Sequence, residues 1–149
     1  MMRVEFVTAE HKHEQIGADL WQLREPFVAR VTCEEWPEPL LIVVPGGYKT
    51  DFESVPKALV FAYALIKGRA RRSATLHDYL LDLINGKLEG WQRTLLLPFM
   101  PEREWIDRLF YSAMIAEGTN ALARELAYMG VTAYTAFLNS RGAANGGTE

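Results

Sequence analysis

The hydrophobic period changes once along this chain, at Pro45-Gly46-Gly47. That change limits the possible folds more than any other feature. Before it, apolar and polar residues alternate, as in strands with one buried face. After it, apolar residues recur at helical spacing. Residues 3–8, 21–24 and 27–33 read as strands, with Pro26 at an edge or bend. Residues 40–44 read as a buried strand closed by the Pro-Gly-Gly turn. The polar run 10–17 reads as a loop, and Trp36-Pro-Glu-Pro39 as a turn. Four helices are expected next: 56–66, ended by Gly68; 72–84, stopped by Asn85-Gly86; 101–117, stopped by Gly118; and one capped by Thr119 and reaching 138, loosened at Gly130. Residues 87–100 suit a short helix or an insertion. Strands followed by helices, without strict alternation, predict an α+β fold. The expected architecture is a small N-terminal antiparallel sheet or open barrel packed on a C-terminal bundle of about four helices. Residues 1–139 form one domain, and the small, polar residues 140–149 a flexible tail.

At 149 residues the chain can bury a real core, and its 49% apolar and 23% charged residues argue against disorder. The net charge of −3 argues against binding nucleic acid by bulk attraction to phosphate. Lys67, Arg69, Arg71 and Arg72 still make a local basic patch. Cys33 is the only cysteine, so an intramolecular disulfide and a multi-thiolate zinc site are both excluded. In its strand-like run it reads as a small buried residue. The N-terminus does not resemble a signal peptide, and no run is long enough to span a membrane. The chain is therefore expected to be made and folded in the cytoplasm, with incorporation into a particle left open.

Four polar groups could carry chemistry. In Tyr48-Lys-Thr-Asp51-Phe-Glu-Ser54-Val-Pro56, Ser54 can cap a following helix, and Asp51 and Glu53 lie near its positive end. A strand-to-helix turn also presents side chains where sites are often built. Ser54 and Lys57 have the Ser-x-x-Lys spacing of acyl-transfer enzymes, without that class's other motifs. His77-Asp78 lies on the second helix, His77 at the border of the apolar stripe. Asp78 and Asp82 are four residues apart on one face, where like charges repel. Asp107 falls beside the apolar stripe of the third helix, and Arg103 could pair with it. His11 and His13, in a polar loop, could bind a metal weakly.

Taken in order, Thr50-Asp51-Phe-Glu-Ser54-Val55-Pro56, His77-Asp78-Tyr79-Leu80 and Asp107-Arg-Leu-Phe110 resemble a family of small proteins of unknown function from bacteriophages, prophages and some bacteria. The resemblance covers roughly residues 43–134. Glu53 stands where members have a small residue, and residues 85–101 are longer than the family pattern. The resemblance implies a phage context and a shared polar set: Asp51, Ser54, His77, Asp78 and Asp107.

Carboxylates with one neutral imidazole suit a divalent cation, here Asp51, His77, Asp78 and Asp107, with water completing the shell. Without metal, Asp51 or Asp107 could orient His77 as general base, with Ser54 or water as nucleophile. The same groups could also form a structural network. Two function classes follow, of which the cluster of acids with histidine favours the first. One is a phage-encoded hydrolase-like protein, acting on cell-wall material. The other is a non-catalytic virion, tail or assembly component that contacts other phage proteins.

Overall fold

The computed structural model describes residues 1–8, 13–18, 20–50, 70–92 and 97–145. The expected helix over 56–66 lies outside them. Among the described residues six strands come first: β1 (Arg3–Phe6), β2 (His13–Gln15), β3 (Trp21–Leu23), β4 (Phe27–Cys33), β5 (Trp36–Val44) and β6 (Lys49–Thr50). Then come α1 (Arg71–Ile84), a 3-10 turn at Gly90–Gln92, α2 (Arg103–Ala116) and α3 (Ala121–Asn145). The fold is α+β, with three helices among the described residues rather than about four.

The strands form two antiparallel three-stranded sheets, in the orders β1-β4-β5 and β2-β3-β6. β4 alternates as expected; β5 was expected to be buried throughout 40–44 but alternates too, with Leu41 56% exposed on the side away from the core. Phe27, Ala29, Val31 and Cys33 point inward, as do Leu40, Ile42 and Val44. Two other expectations fail here. The polar run near residue 13 is strand β2, because it pairs with β3 from His13–Leu23 to Gln15–Trp21. Trp36-Pro-Glu-Pro39 opens β5 instead of forming a turn; Cys33 pairs with Trp36, so the reversal falls at Glu34-Glu35. Pro37 and Pro39 are tolerated because β5 is an edge strand of its sheet and the register is irregular beside them. Gly47, with φ 86°, turns the chain from β5 towards β6. The positive φ favours glycine, and a Cβ there would also sit tightly against the Trp91 ring, at 3.2 Å.

The inner faces of β4 and β5 pack with Leu76, Tyr79, Leu80, Ile106 and Leu109 in one core. A second cluster joins Ala74 of α1, Phe110 and Met114 of α2, and Ala123, Ala127 and Val131 of α3. α2 lies between the two clusters, touching β1, α1 and α3. Both α1 and α2 end in Schellman turns. In α2, Thr119 N–H donates to the Met114 carbonyl at 2.9 Å and Gly118 N–H to that of Ile115 at 3.0 Å, with Gly118 at φ 77°.

α3 starts one residue later than expected. Asn120 is its cap, accepting from Leu122 N–H at 2.9 Å, while Thr119 is buried. The helix passes through Gly130 and continues to Asn145, so residues 140–145 are helical. Arg141, Gly142 and Ala143 are exposed on it.

Candidate functional site

The packing of α1 against α2, and of α2 against α3, places His77 deeper than its position on α1 suggests. Leu76 and Leu80 face the sheet core, so α1 turns its next side towards α2. α2 covers His77 with two residues one turn apart. The Phe110 ring lies 4.7 Å from the imidazole, centre to centre. Asp107 Oδ1 is 2.8 Å from His77 Nε2. The other carboxylate oxygen of Asp107 accepts from the Thr135 hydroxyl of α3 at 2.6 Å. One network therefore joins three helices. His77 is 2% exposed, Asp107 2% and Thr135 3%. Neither His77 nor Asp107 sits at a solvent border, and Asp107 pairs with His77 rather than with Arg103. Arg103 lies over the Tyr134 ring instead.

Burial holds the His77 pKa below its ordinary value. The nearby Arg103 charge acts in the same direction, and Asp107 partly opposes both. The imidazole is therefore neutral near pH 7, with its hydrogen on Nε2, donated to the carboxylate. Nδ1 is then a bare acceptor. It is buried, and among the described residues it has no hydrogen-bond partner.

Asp78 and Asp82 face a different neighbour. The Thr50 hydroxyl of β6 donates to Asp78, and the Tyr48 hydroxyl donates to Asp82 at 2.7 Å. These bonds tie the end of the second sheet to α1 and give each acid a hydrogen-bond donor. Asp78 thus does not share the His77–Asp107 contact. Asp51 and Ser54 lie outside the described residues, as do Glu53 and Lys57. Among the described residues, no group of three or more His, Cys, Asp or Glu is placed to hold a metal ion.

His11 lies outside the described residues, and the other described candidates occupy structural positions. His13 Nε2 is 3.1 Å from the Thr75 hydroxyl, which itself donates to the Arg71 carbonyl at 2.7 Å. Nε2 must then be the donor. Burial first, and Arg71 second, lower the His13 pKa to about 4. His13 is thus a partly buried strand residue rather than part of an exposed metal-binding loop. In the basic patch, Arg71 lies over Trp21 and Arg72 pairs with Glu117 at 3.3 Å. Lys67 and Arg69 are outside the described residues. Cys33 is a buried free thiol.

Thr135, Thr50 and Tyr48 were not candidates from sequence. Nothing in the uncharged surroundings of Thr135 distinguishes it from other helical threonines. Thr50 and Tyr48 stood beside Asp51 in the motif, where the acid drew attention first. Among the described residues, grooves lie beside the helices, two of them near α2. One, of about 240 Å³ between α2 and α3, is lined by Asp107 and Thr135 together with Glu104, Thr132 and Asn139. The larger, of about 360 Å³, is lined by Phe99, Met100, Trp105 and Arg108 and contains none of the candidate residues.

In the described residues, the three motif segments meet one another. Thr50 of the first bonds Asp78 of the second, and His77 of the second contacts both Asp107 and Phe110 of the third. No helix among the described residues is long and apolar enough to cross a membrane. No curated protein and no solved structure matches the chain. A family model described as a protein of unknown function, DUF1353, matches residues 21–131, which contain the strands from β3 onward and all three motifs; the chain belongs to that family.

Proposed function

We propose that the chain is a non-catalytic virion, tail or assembly component, whose polar cluster holds the fold together. The carrying observation is that every described candidate side chain ends on another element of the same chain. His77, Asp107 and Thr135 join three helices, while Asp78 and Asp82 join α1 to the β6 end. A general base or metal ligand must reach a substrate or ion, and the free His77 nitrogen has no access to solvent. The phage setting rests on the motif resemblance.

One observation favours the hydrolase-like reading. An unpartnered buried nitrogen costs about 1–3 kcal/mol, which a purely structural residue would not need to bear. A carboxylate on one ring nitrogen, with the other left free, is also how ligating and basic histidines are oriented. In that reading His77 acts through Nδ1, Asp107 orients it, and Asp51 and Ser54 complete the site. Asp78 would contribute to metal binding only by leaving Thr50. Cell-wall material is the substrate class that suits a phage.

Thermal unfolding of wild type, His77→Ala and His77→Gln, with and without zinc, manganese or magnesium, separates the readings. The structural reading expects His77→Ala to lose about 2–4 kcal/mol, from lost packing and unpaired partners. Glutamine should recover part of this through a donor to Asp107, and no cation should stabilise any form. Cation-dependent stabilisation of wild type that both variants lack would overturn it.

A further inference from the structure

We propose that the outer face of α3 is a self-association surface, on which two copies of the chain pair antiparallel about Ala133. The inference does not depend on whether the buried network is catalytic. Inward, α3 buries Ala123, Ala127, Val131 and Thr135, at four-residue spacing. The opposite ridge has the same spacing: Glu125, Met129, Ala133, Phe137 and Arg141, all exposed. Met129 is 63% exposed and Phe137 51%, and Leu122 extends the face at 66%. No charged residue occurs from 126 to 140. An uncharged outer face of this length is unusual on a helix whose other side is already packed.

The charges at the ends select the occupant. The ridge has an acid at one end, a base at the other and a small residue at its centre. A two-fold axis at Ala133 brings Glu125 of each copy, whose carboxylate also accepts from the Tyr111 hydroxyl of α2, opposite Arg141 of the other, and Met129 opposite Phe137. Alanine at the crossing lets the helices approach closely, near the roughly 20° crossing of paired helices. The contact is isologous, so each favourable pair occurs twice. Arg141 already lies over Phe137, 5.6 Å from the ring centre, which places its guanidinium along the ridge. A membrane surface fits less well. Surface-lying helices are rich in Lys and Arg on the polar face, and α3 has only Arg124 and Arg141. One helix face per copy is small for an interface, so the expected dissociation constant is on the order of micromolar.

Sedimentation velocity over a concentration series tests this on the full chain, with circular dichroism melts of each variant to verify folding. Wild type should shift from monomer to dimer. Ala133→Arg should abolish the dimer. Arg141→Glu, which sets acids opposite acids at both ends, should weaken it about tenfold. Glu125→Arg should weaken it too, and the double reversal Glu125→Arg with Arg141→Glu should restore it. A wild type that stays monomeric at about 100 µM would overturn the proposal. So would a dimer indifferent to Ala133→Arg and to the charge reversals, which would lie on another surface. Binding to neutral or anionic vesicles without self-association would overturn it in favour of a membrane.

Discussion

His77 is held by a hydrogen bond at one nitrogen and by Phe110 against its ring. That explains the spacing of the third motif: Asp107 and Phe110 are one turn apart on α2 and reach the same imidazole. The motif residues were legible in the sequence, but their depth was not. A helix's own apolar stripe reveals one buried face. His77 is buried by a second covering, supplied by α2, and the network is completed by Thr135 of α3. A consequence is readable in pH. Burial lowers the pKa of both His77 and His13 in the folded state, His13 to about 4. The unfolded chain takes up these protons first, starting near the ordinary value of 6.5. Stability should therefore be constant with respect to both groups above that value. It should fall as pH drops below it, continuing towards about 4 for His13. Urea unfolding at a series of pH values checks this, and His77→Gln should reduce the slope. Stability that rises on acidification through this window would contradict the neutral, buried assignment.

At the level of elements, the helix stops were legible because Gly86 and Gly118 follow the last apolar positions of α1 and α2. The helix starts were harder to place. α1 has no cap in its own sequence: Ala70 precedes it and offers no side-chain acceptor. Glu117, at the end of α2, supplies the cap. Its carboxylate accepts from Arg72 N–H at 3.1 Å, from Ser73 N–H at 3.0 Å and from the Ser73 hydroxyl at 2.6 Å. A negative charge at the positive end of a helix is favourable, and this one also serves backbone donors without intrahelical partners. Sequence spacing could not reveal a cap contributed from more than forty residues away. Glu117→Ala should destabilise by about 2–3 kcal/mol, the range for hydrogen bonds to a charged group. Glu117→Gln should recover part of that. Chemical denaturation measures both, and a neutral Glu117→Ala would mean that α1 does not rely on this cap. Strand β2 was missed for a related reason. His13-Glu-Gln15 lacks an apolar alternation, and it is strand only because β3 offers it a ladder.

For the whole molecule, the change of hydrophobic period gave the α+β class and the order of sheet before helices. It could not separate two sheets from one, since pairing depends on which strands meet. The end of α3 illustrates the same limit. Residues 140–145 are small and polar, yet they continue a helix started by the packed segment before them. Arg141, Gly142 and Ala143 are exposed, so removing residues 142–149 should move the unfolding midpoint by less than about 2 °C. A drop beyond about 5 °C would mean that the end docks on the body. At the centre of the molecule, His77 and Asp107 stabilise each other and thereby join α1 to α2. A double-mutant cycle with His77→Ala, Asp107→Ala and their combination, read by urea unfolding at pH 7.5, tests it most directly. A favourable coupling of about 1–3 kcal/mol is expected. A coupling within about 0.5 kcal/mol of zero would contradict it.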